Sequence, residues 1–268
     1  MNADEQELSR LREQGIDVST PNVARMYDYY LGGAANFAID REAAEKALAV
    51  TPEIGRFAQA NRNFLGRAVT YLCERGIDQF LDLGSGIPTV GNVHEIAQRH
   101  NPNARVAYVD HEAAAVMHAR SLLAEDPRAS MTHADIRDPK AVLSAPGVTD
   151  LLDFTKPVAV LAIAILHFVP DEDDPAGILR AYAQACAPGS YVAFSHAATV
   201  TMTEDQVSRG RKIYNSTTTP LVIRDNDAIR VFLDGFELVE PGVVPVNHWP
   251  VPTGETPANG YGAVARLP

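Results

Sequence analysis

Cysteine is scarce: the 268-residue chain has two, Cys73 and Cys186. Neither sits in a C-x-x-C pair or a Cys/His metal spacing, and two thiols cannot build a disulfide framework. Reduced thiols in a cytoplasmic protein are expected. Positive charge is short as well, since 23 Lys+Arg against 34 Asp+Glu leave a formal net charge of -11 at pH 7, with no Lys/Arg cluster to offset it. A field of that sign repels phosphate backbones, so a nucleic-acid partner is not expected. Long hydrophobic runs are missing too. The longest, "PVAVLAIAILHFV", is too short to cross a bilayer as a helix, and the N-terminal "MNADEQELSRLREQG" lacks the apolar core of a signal peptide. No membrane association is expected.

What is present is a sequence of two grammars. Residues 1–18 read as a polar leader. "STPNVARMYDYYL" predicts a helix capped at Ser19 or Thr20, with Pro21 at its first position, and Gly32 and Gly33 break it. Further helices are predicted over Asp40 to Val50 and from Pro52 to Arg75, the latter stopped by Gly76.

After Gly76, short apolar strands alternate with helical segments. "QFLDLG", "ARVAYVD", "SMTHAD", "PVAVLAIAIL" and "SYVAFSH" read as strands, separated by "VGNVHEIAQRH", "EAAAVMHARSLLAED" and "GILRAYAQACAPG" as helices. The alternation predicts an α/β fold, a doubly wound, mostly parallel sheet covered on both faces. The fourth strand lacks period-two alternation and should be central. Residues 203–213 and 225–234 look helical, "FELVEPG" and "YGAVARL" offer two last strands, and the proline-rich "PGVVPVNHWPVPTGETPANG" between them reads as a surface loop. The expected division is a helical extension over residues 1–75 and an α/β domain over 76–268.

The first strand ends in Asp82, Gly84, Ser85 and Gly86, where open α/β sheets place ligands. A dinucleotide site wants a third glycine, and position 89 is Thr89; no Gly-Lys-Ser/Thr completes a phosphate loop either. What remains is a glycine turn flanked by acids. Asp110, ending the second strand, suits ribose hydroxyls, and Asp82 suits a cationic amino group. Asp135, closing the third strand, could accept from an adenine amine with Ile136 against the ring, or could simply cap a loop. Ribose, ammonium and no phosphate describe S-adenosylmethionine.

The segments "ARMYDYYLGGAANFAIDREAAEK", "ANRNFLGRAV", "QFLDLGSGIPTVGNVHE", "AYVDHE", "ILHFVPDEDDPAGI" and "LVEPGVVPVNHW" carry a resemblance over nearly the whole chain. It resembles an actinobacterial family of S-adenosylmethionine-dependent methyltransferases once known only as a domain of unknown function. The resemblance implies a class I methyltransferase sheet, Rossmann-like, with an N-terminal helical lid. It would place Asp82, Gly84, Ser85 and Gly86 at the methionine end, Asp110 and His111 by the ribose, and Asp135 and Ile136 by the adenine. Tyr27, Gly32, Gly33, Asn36 and Phe37 would close over the methyl donor, and Arg62 would meet the cofactor carboxylate. Ala34 and Ala35 depart from the lysine and aspartate of many relatives, which suggests a less polar acceptor pocket.

Methyl transfer is an in-line displacement, so it needs positioning and exclusion of water more than a catalytic dyad. His167 and Tyr27 are the catalytic candidates. His167 ends the fourth strand, where it either faces the acceptor or is satisfied by backbone. The same alternatives apply to His196. Tyr27, Tyr29 and Tyr30 cannot share one helix face. His248 and Trp249 could gate a pocket or pack their loop down, and Arg25, Asp28 and Asp40 could brace the lid or touch substrate. "PDEDDP" reads as a solvated helix entry rather than a cation site. The expected partner is a small-molecule methyl acceptor. Two rivals share the sheet: a nicotinamide-dependent oxidoreductase, and a non-catalytic regulator that binds the methyl donor.

Overall fold

The computed structural model describes residues 15–88 and 91–267, together with Leu11 and Glu13. Thr89 lies outside them, as does most of the leader. Asn22 starts the first helix: its side-chain oxygen accepts the N–H groups of Ala24 and Arg25 at 2.8 and 3.2 Å, capping α1, Val23–Tyr30. The cap expected at Ser19 or Thr20 is not formed: the N–H and hydroxyl of Ser19 both turn back to Asp17, and Asn22 caps instead. Pro21 therefore stays outside the helix. α1 ends at Gly32, whose φ of 78° a side chain would resist. α2 (Ala38–Val50) and α3 (Glu53–Cys73) follow.

Beyond Gly76 come β1 (Gln79–Leu83), α4 (Val93–His100), β2 (Arg105–Asp110), α5 (Ala113–Leu122), β3 (Ala129–His133), and the short α6 (Pro139–Leu143) and α7 (Pro146–Thr149). Then come β4 (Ala159–Ile163), α8 (Pro175–Gln184), β5 (Tyr191–Ala197), α9 (Glu204–Tyr214), α10 (Asn226–Arg230), β6 (Glu237–Leu238), β7 (Val244–Pro245) and β8 (Gly260–Arg266). The sheet order is β3-β2-β1-β4-β5-β8-β6, with β7 also on β8. The first five strands are parallel and β8 is antiparallel to β5. This is the doubly wound, mostly parallel, Rossmann-like sheet that the alternation predicted. The order reverses between β1 and β4, which opens a crevice at their carboxyl ends.

Alternation along the strands splits the core in two. Leu81 and Leu83 pack with Val160 and Phe194 on one face, while Phe80 packs with Leu161 and with Phe64 and Leu72 of α3 on the other. Asp82 shares the parity of Phe80 and so points to the α3 side. A third, smaller cluster joins Met26 of α1, Ala44 and Ala47 of α2, and Tyr214 of α9 above the crevice.

Three local expectations differ. The fourth strand stops at Ile163, because Ala164 takes a φ of 53° and the chain winds into a short turn, Leu166–Phe168, that carries His167. The helix predicted over 225–234 changes to a tighter turn after Arg230. The proline-rich segment contributes β7 and is pinned by Arg67, which donates to the carbonyls of Trp249 and Val246, both at 2.7 Å. Trp249 is buried, edge-on to Phe64 and Tyr71, so it packs the loop down.

Candidate active site

The turn after β1 is shaped by two left-handed glycines, Gly84 (φ 67°) and Gly86 (φ 65°). A Cβ on Gly84 would overlap the Ile165 side chain. The N–H groups of Gly84 and Ser85 donate to the Val109 carbonyl at 2.8 and 3.1 Å, and that of Gly86 donates to Asp110 Oδ2 at 2.7 Å. Asp110 Oδ1 accepts the Glu112 N–H at 2.8 Å. Asp110 is thus oriented by backbone, whereas Asp82 beside it has no hydrogen-bond partner among the described residues. Burial pushes the Asp82 carboxyl up to about 7; the Arg62 charge opposes this and the Asp110 charge adds to it. The Ser85 hydroxyl is likewise buried without a partner among the described residues.

A directed chain of hydrogen bonds ties the strand ends to the cover. The Ala164 N–H donates to Ser195 Oγ at 3.0 Å, whose hydroxyl donates to Asn61 Oδ1 at 2.6 Å. Asn61 Nδ2 donates to the Tyr27 hydroxyl, which donates to the Ala58 carbonyl, both at 3.0 Å. Burial raises the Tyr27 phenol, and its hydroxyl is used in both directions. On the other flank, buried Arg25 pairs with Asp40 at 2.7 Å and with Glu112 at 3.1 Å, and Asn22 Nδ2 donates to Glu112 at 2.7 Å. Tyr30 meets Tyr214 of α9 hydroxyl to hydroxyl at 3.2 Å. Asp28 accepts from the Ala35 N–H and Asn36 Nδ2 at 2.9 and 2.7 Å, bracing the loop after α1.

At the far end His167 is buried, and its Nδ1 accepts the Ala197 N–H at 3.1 Å. His196 Nδ1 meets the Ala197 carbonyl at 2.7 Å, and its Nε2 meets Arg224 Nη1 at 3.0 Å. Burial above all holds both imidazoles below the ordinary value, His196 at about 3.

One cavity brings together Tyr27, Arg62, Asp82, Gly84, Ser85, Gly86, Asp110, His111 and His167. Six of the residues expected around the donor, Gly32, Gly33, Asn36, Phe37, Asp135 and Ile136, do not border it. Gly32 and Gly33 line a separate groove on the outer side of α3, and Asn36 is turned onto Asp28 and the Gly33 carbonyl. Asp135 is clamped by Arg137 at 2.6 Å, an ion pair that keeps its carboxyl low, and Ile136 is buried in the core beside Tyr182. Asn61, Glu112, Tyr214 and Asn259 border the cavity and were not singled out. Glu112 was within reach as the acid of "AYVDHE" and Asn61 as the neighbour of Arg62 in "ANRNFLGRAV"; Tyr214 and Asn259 sit in segments with no motif. Of the acids in "PDEDDP", Asp171 pairs with Arg224, Asp173 with Arg137, and Asp174 caps α8. Among the described residues no trio of His, Cys, Asp or Glu is placed to hold a metal ion.

A family model described as S-adenosyl methyltransferase matches residues 9–268. The chain belongs to this family. A methyltransferase of this family takes its methyl group from S-adenosylmethionine, which decides among the three readings open from the sequence. The S-adenosyl methyltransferase is similar to a DUF574 family protein of Streptomyces avermitilis, at 40% identity and a TM-score of 0.89 over 94% of this chain and 99% of that one. It is also similar to a candidate methyltransferase of Thermobifida fusca, at 38% identity and 0.88 over 94% and 97%. At 15% identity and a TM-score of 0.51, over 91% of this chain and 99% of that one, the N-methyltransferase NodS of Bradyrhizobium japonicum shares the fold. No functionally curated protein matches the methyltransferase.

Proposed function

We propose that the cavity at the β1 exit binds S-adenosylmethionine, with the amino group at Asp82, the methionine end along Gly84, Ser85 and Gly86, and the ribose at Asp110 and His111. The observation that carries this is Asp82. A buried carboxylate with no hydrogen-bond donor is costly unless a ligand completes it, and an ammonium is the complement. Asp28, Asp82, Asp110 and Glu112 all border the cavity, which favours a cationic ligand over a pyrophosphate. Arg62 stands beside Asp82 and suits the donor's carboxylate.

Bound there, S-adenosylmethionine supplies a sulfonium-borne methyl group open to displacement by a nucleophile. The chain's own part is to hold both reactants and keep water out. α1 and α2 form the cover within the 1–75 extension, held by Arg25 to Glu112 and by Tyr27 to Asn61, whereas α3 packs on the sheet itself. The remaining wall, with Phe57, Ile163, Phe168, Met202, Val207 and Leu221, is apolar. It suits a small, largely apolar acceptor rather than a nucleic acid. None of the described helices is long and apolar enough to cross a membrane, and the free Cys73 and Cys186 accord with a cytoplasmic setting.

Calorimetric titration with S-adenosylmethionine, S-adenosylhomocysteine and NADH tests the site. The first two are expected to bind and NADH is not, and Asp82→Asn is expected to weaken both by roughly tenfold or more. Binding of NADH alone overturns the reading.

A further inference from the structure

His167 and Asn259 border the far end of the cavity, and a single backbone segment orients both. An amide N–H can only donate. The Ala197 N–H on Nδ1 of His167 therefore makes Nδ1 the bare nitrogen and puts the proton on Nε2, which has no partner among the described residues. Thr201 donates from its N–H and hydroxyl to Oδ1 of Asn259 at 2.8 and 3.0 Å. That orientation leaves Asn259 Nδ2 a donor with no acceptor among the described residues. Behind His167, 5.3 Å away between ring centroids, stands His196, which in turn contacts the buried Arg224. The counter-ion of Arg224 is Asp171, whose side chain is 80% exposed and screened by water. This end of the cavity is thus donor-rich, while Asp82 and Asp110 border the other end.

We propose that His167 is a fixed Nε2–H donor to the methyl acceptor, not a base, and that the acceptor is an apolar molecule entering with an ionised oxygen. The proposal rests on the cofactor site assigned above. Neither His167 nor Tyr27 is free to take a proton: Nδ1 of His167 is occupied and Nε2 already carries its hydrogen, and the Tyr27 hydroxyl is used in both directions. Of the carboxylates bordering the cavity, Asp82 and Asp110 stand at the proposed cofactor end, Glu112 is held by Arg25 and Asn22, and Asp28 binds the loop after α1 through Oδ2 with Oδ1 packed against Gly33. A neutral alcohol would strand its proton here. An ionised oxygen forms the O–CH3 bond with its own electron pair, the pair of the broken C–S bond stays on sulfur, and nothing has to be deprotonated. Cancelling two opposite charges in a dry, apolar cleft is favoured by their desolvation.

The test uses 4-nitrophenol, whose ionised form is coloured, with benzyl alcohol and benzylamine as controls, on the protein with and without S-adenosylhomocysteine. The expected result is a probe ionised when bound at a pH where the free probe is mostly neutral, held about tenfold tighter than either control. His167→Phe is expected to lose that preference and His167→Gln, which keeps an N–H near the place of Nε2, to retain it. Nitrogen NMR should show His167 as the neutral Nε2–H form between pH 6 and 8, its signal assigned by its loss in His167→Gln. A neutral bound phenol, a preference for the amine, or an Nδ1–H ring overturns the proposal. Failure of S-adenosylhomocysteine to bind overturns the cofactor site instead, and the ring form and probe preference are still read on the cofactor-free protein.

Discussion

Asp110 accepts the N–H of Gly86 at 2.7 Å, so the acid that ends β2 holds the glycine turn that ends β1. Asp110→Ala removes both this bond and the ribose contact assigned to it. Hydrogen bonds to a charged group contribute about 1.5–3 kcal/mol each, so the affinity for S-adenosylhomocysteine is expected to fall roughly 10- to 100-fold. Calorimetry on the folded variant measures it, and unchanged affinity would remove Asp110 from the site.

The neighbouring carboxyl is expected to make binding sensitive to pH. Burial lifts Asp82 to about 7. Between its unfolded value near 4 and about 7, the folded chain holds a proton that the unfolded chain has lost. This contribution to stability is therefore complete below about 4 and is lost as pH rises through about 7. An ammonium pairs with the ionised form, so ligand affinity should rise from pH 6 to 7.5 and binding at pH 6.5 should release protons. Binding enthalpies in two buffers of different ionisation enthalpy read the release directly. Asp82→Asn should abolish it.

Gly33 is a packing requirement rather than a hinge, because a Cβ there would overlap the Asp28 carboxylate. Gly33→Ala should break the bonds from Asp28 to Ala35 and Asn36 and destabilise the cover by about 1–3 kcal/mol. Faster hydrogen exchange across residues 22–50, with the sheet unchanged, is the expected signature.

The chain's one tryptophan is a built-in reporter. Trp249 is buried edge-on to Phe64 at 5.5 Å and Tyr71 at 5.3 Å. Trp249→Ala should cost about 3–5 kcal/mol, while Val251→Ser on the exposed side of the same loop should stay within about 0.5 kcal/mol. Thermal melts of the two variants compare them.

The sequence by itself determined the parts of this protein that are written locally. Strand and helix periods, the left-handed demand of Gly84 and Gly86, and acids at Asp82 and Asp110 are properties of a few adjacent residues, so the sheet and the acid-flanked glycine turn at its crevice were legible. Only the tertiary structure decided which groups keep a free valence, because that depends on partners far along the chain. Ser195 reaches Asn61 across 134 positions and Asn22 reaches Glu112 across 90. The proton of His167 sits on Nε2 because of an amide 30 residues away. Asp135 is the local exception: it carried the same signal as Asp110, yet Arg137, two residues on, takes its carboxylate.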